Sequence, residues 1–71
     1  MPNARKIKAR ILEKGYTIKS VADLMELTAY TLGRKISGKA PMTLSEAWQL
    51  MKILEISDEE FKSYFFDRQV A

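Results

Sequence analysis

Residues Thr17 to Lys39, TIKSVADLMELTAYTLGRKISGK, decide how this chain folds. Thr17 and Thr28 are good helix N-caps, because their side-chain oxygens can accept an orphan N–H of the first turn. Between them, Val21, Ala22 and Met25 fall on one helical face. After Thr28, Leu32 and Ile36 recur one turn apart, and Gly38 is a stop signal. The stretch therefore predicts two short helices, 18–25 and 29–37, joined by a tight turn. Ala22 is small enough to let two backbones approach where the helices cross. Leu27 follows the turn and plugs the space between them, and Leu32 faces inward, an Ala-x4-Leu-x4-Leu spacing. Ala29, Tyr30, Gly33, Arg34 and Ser37 are left pointing outward.

The flanks extend the same pattern. Gly15 ends a helix at 4–14 with an apolar stripe of Ala4, Ile7 and Ile11 and Leu12 beside it. Thr43 opens a helix at 44–54 with a wide apolar face: Leu44, Ala47, Trp48, Leu50, Met51 and Leu54. Ser57 opens another at 58–68, with Phe61, Tyr64 and Phe65 on one side. Thr43 with Glu46 and Ser57 with Glu60 form capping boxes. Tyr16 with Val21, Leu27 with Leu32, and Ile56 with Phe61 suit hydrophobic staples. No alternating run or hairpin dipeptide signals a strand. Independent signals agree on an all-α class: one compact five-helix domain, 1–71, with its helix-turn-helix motif at about 17–38.

Composition narrows the chemistry. A chain of 71 residues buries a modest core and has little room for a ligand cavity. It has no cysteine and no histidine, which removes disulfides, thiolate nucleophiles, the usual zinc ligands and imidazole acid–base catalysis. We expect no metal, cofactor or small-molecule ligand, and no enzymatic activity. Asp58, Glu59 and Glu60 are consecutive at a helix start, where the dipole favours negative charge, and nothing converges them on a cleft. No apolar run approaches the roughly 20 residues a membrane span needs, and no signal peptide is evident, so a cytoplasmic protein is expected. Charge is split along the chain. Residues 1–42 hold nine Lys and Arg against three acidic residues, or +6, and residues 43–71 hold three against six, or −3. The N-terminal half is the one suited to a polyanion.

With these residues in view, the chain resembles the phage Cro/repressor-type helix-turn-helix family, also called the XRE family. The matching residues are Gly15-Tyr16-Thr17, Val21-Ala22, Leu27-Thr28, Leu32, Gly38-Lys39 and Pro41. LGRKISGK, TLSEAWQLMKIL and YFF also look like small regulators from phages of Gram-positive bacteria. The resemblance covers nearly the whole chain. It implies a lambda-repressor-like bundle that binds double-stranded operator DNA as a homodimer, through a recognition helix at 28–37. By position, Ala29, Tyr30 and Arg34 would meet base edges, Arg34 by a two-pronged bond to guanine. Thr28, Ser37, Lys39, Lys19 and Lys35 would meet phosphates. Gly33 costs about 1 kcal/mol mid-helix relative to alanine, and close approach to a DNA backbone would explain it.

Several positions depart from the family. Ile18 stands where relatives place a phosphate-binding Gln. Glu26 stands at the turn position usually held by Gly. Ala29 stands where relatives often use Gln, which shifts specificity toward Arg34, Tyr30 and DNA shape. Ile11 and Ile36 match a buried Arg–Glu pair of many relatives, and packed aliphatics can replace such a pair without loss. The chain is short for a separate dimerisation domain, so dimer contacts are expected from Trp48, Ile53, Tyr64 and Phe66 on the last two helices. Ile18, Glu26 and Ala29 also favour an alternative, an antirepressor or modulator that binds a repressor protein. A DNA-binding antitoxin and a membrane-surface role for the basic first helix rank lower.

Overall fold

The computed structural model describes residues 2–65 of the chain. Five helices follow one another: α1 Ala4–Glu13, α2 Ile18–Leu24, α3 Ala29–Ile36, α4 Leu44–Ile53 and α5 Asp58–Phe65. The architecture is all-helical, as the caps and periodicity indicate. Every start is fixed by a side chain. Asn3 accepts the Lys6 N–H, Thr17 that of Ser20, Thr28 that of Thr31 and Thr43 that of Glu46. The Thr43–Glu46 box closes in both directions, and Ser57 and Glu60 exchange bonds of 3.3 Å. Thr17 and Ser20 form a further reciprocal box that a search for Glu or Gln at the third position passes over.

The ends share one device. Lys14, Met25, Ser37 and Leu54 leave their helices with ψ between 0° and 3°. The next residue is left-handed in each case: Gly15 (φ 82°), Glu26 (59°), Gly38 (81°) and Glu55 (55°). Each turn then closes a six-residue loop, through Tyr16 N–H to Ile11, Leu27 to Ala22, Lys39 to Arg34 and Ile56 to Met51, at 2.8–2.9 Å. These are Schellman turns. They stop α1 to α4 one residue earlier than the sequence pattern suggests. Two of the four use glutamate where glycine carries no steric cost.

Glu26 is exposed and holds no bond that would offset its backbone, so Glu26→Gly should stabilise the fold by about 1 kcal/mol. That is a rise of roughly 4–8 °C in Tm. Glu55→Gly should gain less, because Glu55 also binds Lys14 at 2.8 Å. Paired thermal melts check this. Equal gains from both substitutions would show that the Glu55 side chain contributes nothing.

The core draws on all five helices. Ile7 and Ile11 come from α1, Val21 and Ala22 from α2, Leu32 and Ile36 from α3, Ala47 and Leu50 from α4, Tyr64 and Phe65 from α5. No polar or charged side chain is buried among the described residues. Ile11 and Ile36 both lie in this cluster, consistent with aliphatic packing in place of an ion pair. α2 packs on α3, and α1 on both α2 and α5. Arg10 of α1 donates from Nε to the Leu54 carbonyl at 2.9 Å and from Nη2 to that of Glu55 at 2.8 Å. It thereby caps the C-terminus of α4, where positive charge is favoured by the dipole.

Three side chains depart from the sequence-based core. Leu12 is 75% exposed, one position off the α1 stripe. On α4, Leu44 and Trp48 are 60% and 53% exposed, because the inward arc there is narrower than its apolar face. Phe66, proposed for a dimer contact, lies outside the described residues, as does the end of the predicted 58–68 helix.

Candidate nucleic-acid interface

The outward face of α3 begins at its cap. The Thr28 hydroxyl accepts the Thr31 N–H at 3.1 Å and donates to the Thr31 hydroxyl at 2.9 Å. Thr31 is thus part of the cap, a role that no motif at its position signals. Ala29 and Tyr30 follow, both exposed, with Tyr30 75% exposed. One turn on, Arg34 lies with its guanidinium carbon 5.9 Å from the Tyr30 ring centre and donates to the Lys39 carbonyl at 3.1 Å. A Cβ built on Gly33 would meet nothing within 4 Å, so no close packing inside the described residues calls for glycine there. Ala29, Tyr30, Gly33 and Arg34 therefore share a surface-facing part of α3.

The positions expected to meet phosphate fare differently. Lys19 is exposed and only loosely tied to Asp23 at 3.5 Å, an interaction that surface ion pairs exchange easily. Lys39 is exposed at the end of α3. Lys35 is not available. Its ammonium donates to the Glu46 carboxylate and to the Pro41 carbonyl, both at 3.1 Å, and its side chain is 16% exposed. It braces α3 against the start of α4. Burial alone would raise the Glu46 pKa, but the Thr43 N–H and Lys35 together outweigh that and hold it below the ordinary carboxylate value. Ser37 turns its hydroxyl back to the Gly33 carbonyl. The backbone N–H groups of residues 37–40 are likewise spent on carbonyls of α3. A phosphate at this end of the helix would rely on the Lys39 ammonium.

Other basic side chains of α1 and α3 divide in the same way. Lys14 is neutralised by Glu55. Lys6 donates to the Ser63 hydroxyl and sits 4.9 Å from the Tyr64 ring. Arg5, Lys8, Arg34 and Lys39 have no acidic partner within ion-pair distance among the described residues. Glu26 places one negative charge beside this face, in the turn between α2 and α3.

For a dimer contact, three of the four candidates lie among the described residues, and the structure divides them. Trp48 is exposed and lies one turn from exposed Leu44, and Ile53 is half-buried. Tyr64 is 8% exposed, with its ring against Lys6, and completes the core instead. An apolar groove of about 500 Å³ lies between the α3–α4 loop and the start of α4, lined by Pro41, Met42, Leu44, Phe65 and neighbours, none of them titratable. Among the described residues, no helix is long and apolar enough to cross a membrane.

A family model described as "Protein of unknown function (DUF739)" matches residues 3–68. The chain belongs to this family. The DUF739 match takes in all five helices and every turn between them, so the fold described above is the family's whole matched unit in this chain. No curated protein matches the chain. No solved structure matches it either. The DUF739 description names no activity.

Proposed function

We propose that this protein is a sequence-specific DNA-binding transcriptional regulator that inserts α3 into the major groove of operator DNA and acts as a homodimer. The observation that carries the reading is the outer face of α3. Ala29, Tyr30 and Arg34 are turned to solvent or to one another, and Gly33 has no packing reason to be glycine. A helix that presents an aromatic, a guanidinium and a bare backbone on one face suits a groove edged with acceptors and closed by phosphates. The uncompensated cations of α1 and α3 supply the attraction that does not depend on sequence. A regulator of this kind acts by occlusion, sitting where polymerase must bind, and works in the cytoplasm with the DNA. Trp48 and Leu44 on α4 are the side chains available for a second copy.

The resemblance to the phage Cro/repressor-type family points the same way. One observation favours a second reading. Glu26 sits exposed in the turn before α3, with no ion-pair partner among the described residues, where its charge repels a polyanion, and α4 exposes Trp48 and Leu44. Those features would suit a modulator docked on a repressor protein.

The deciding experiment is binding to genomic duplex fragments that flank the protein's own gene, at two salt concentrations. A dimer making about six phosphate contacts should lose about a thousandfold in affinity from roughly 50 to 200 mM salt, yet still separate one fragment from the rest. Weak binding that is the same for every fragment would sink the DNA reading and turn the search to a repressor partner.

A further inference from the structure

Arg34 has two contacts before any ligand arrives. Its guanidinium carbon lies 5.9 Å from the Tyr30 ring centre, and the Lys39 carbonyl accepts one of its N–H groups at 3.1 Å. The Arg34 backbone carbonyl in turn accepts the N–H of Lys39 and of Ala40 at 2.9 and 3.2 Å. The side chain therefore contacts both an aromatic ring and the loop that its own backbone closes. One of its five N–H donors is spent, and the others remain for a ligand. Tyr30 is 75% exposed, so its ring is not placed there to fill the core.

Resting on the DNA-binding reading of α3, we propose that Tyr30 is a positioning residue for Arg34, and that the two form a preformed reader of guanine. Guanine presents O6 and N7 side by side in the major groove, and a guanidinium matches both only when its fork lies in the plane of the base. A phosphate accepts positive charge from many directions. An arginine steadied against an aromatic ring has fewer orientations to give up when it meets a base edge. Loss of the ring should therefore harm discrimination between bases more than it harms attraction to DNA as such.

The test is selection from a random-sequence duplex pool with the wild type, Tyr30→Phe, Tyr30→Ala and Arg34→Lys, followed by titration of the best wild-type duplex. In a second duplex, 7-deazaguanine, which lacks the N7 acceptor, replaces the preferred guanine. Thermal melts confirm that each variant is folded. The wild type should enrich a fixed guanine, and Tyr30→Phe should keep it, since the ring remains. Tyr30→Ala should lower the preference for that guanine about tenfold, and Arg34→Lys should weaken it as well, since an ammonium on a flexible stem still reaches guanine but lacks the planar fork. The 7-deazaguanine duplex should weaken the wild type about tenfold and Tyr30→Ala much less. An unchanged guanine preference in Tyr30→Ala would overturn the proposal, as would a loss in Tyr30→Phe equal to that in alanine. A wild type that enriches no sequence would instead overturn the DNA reading on which the proposal rests.

Discussion

Truncating Leu32 to alanine should destabilise the protein by about 2–5 kcal/mol and leave much of it unfolded at 37 °C. Leu32 is fully buried, and it stands on α3 one turn before fully buried Ile36. Replacing its isobutyl group by a methyl forfeits the transfer energy of the lost carbons and leaves a cavity that surrounding helices fill only in part. A domain of this length has on the order of 4–10 kcal/mol of total stability, so the loss takes a large share of it. Denaturant titration of the wild type and Leu32→Ala reads the difference directly. A shift below about 1 kcal/mol would mean that α3 is not anchored in the core through this residue.

Arg34→Ala, two positions on, should do the reverse. Its side chain bonds the Lys39 carbonyl and faces the Tyr30 ring at the surface, so stability should change little. Binding to the preferred duplex should fall about 10- to 100-fold, with relaxed choice at one base position. Competition titrations against duplexes altered at single positions distinguish the possibilities. A uniform loss across all sequences would move Arg34 from a base edge to a phosphate. No loss at all would show that this face of α3 does not meet DNA. Leu32 and Arg34, on one helix, thus separate anchoring from reading.

The helices were legible because their starts are written locally. Thr17, Thr28 and Thr43 each accept an N–H three residues on, a bond that needs no knowledge of the rest of the chain. Gly15 and Gly38 were equally plain as stops. Glu26 was expected at a position that wants glycine and does adopt a positive φ. Glu55 was not foreseen, because nothing in a Leu-Glu-Ile sequence announces a left-handed residue. It closes the same local turn as the other three, and Arg10 and Lys14, more than 40 residues earlier, bind its carbonyl and its carboxylate.

The site was legible in its outline but less so in its side chains. Periodicity assigns Tyr30 and Arg34 to the outside of α3, and they are there. Lys35, expected to meet a phosphate, is instead held inside the fold, because the acceptors that capture it belong to Pro41 and Glu46. Trp48 and Tyr64 illustrate the same limit. Both are aromatics on apolar faces, and only packing against α1 decides that Tyr64 is covered and Trp48 is not.

One carboxylate oxygen, Oε1 of Glu46, accepts both the Thr43 N–H at 2.9 Å and the Lys35 ammonium at 3.1 Å. That atom works as a latch pin between two helices. It joins the last turn of α3, through Lys35, to the first turn of α4, through the Thr43 cap. The helix that carries Arg34 and the helix that carries Trp48 therefore share one anchoring atom, and replacing Glu46 would remove a brace and a cap at once.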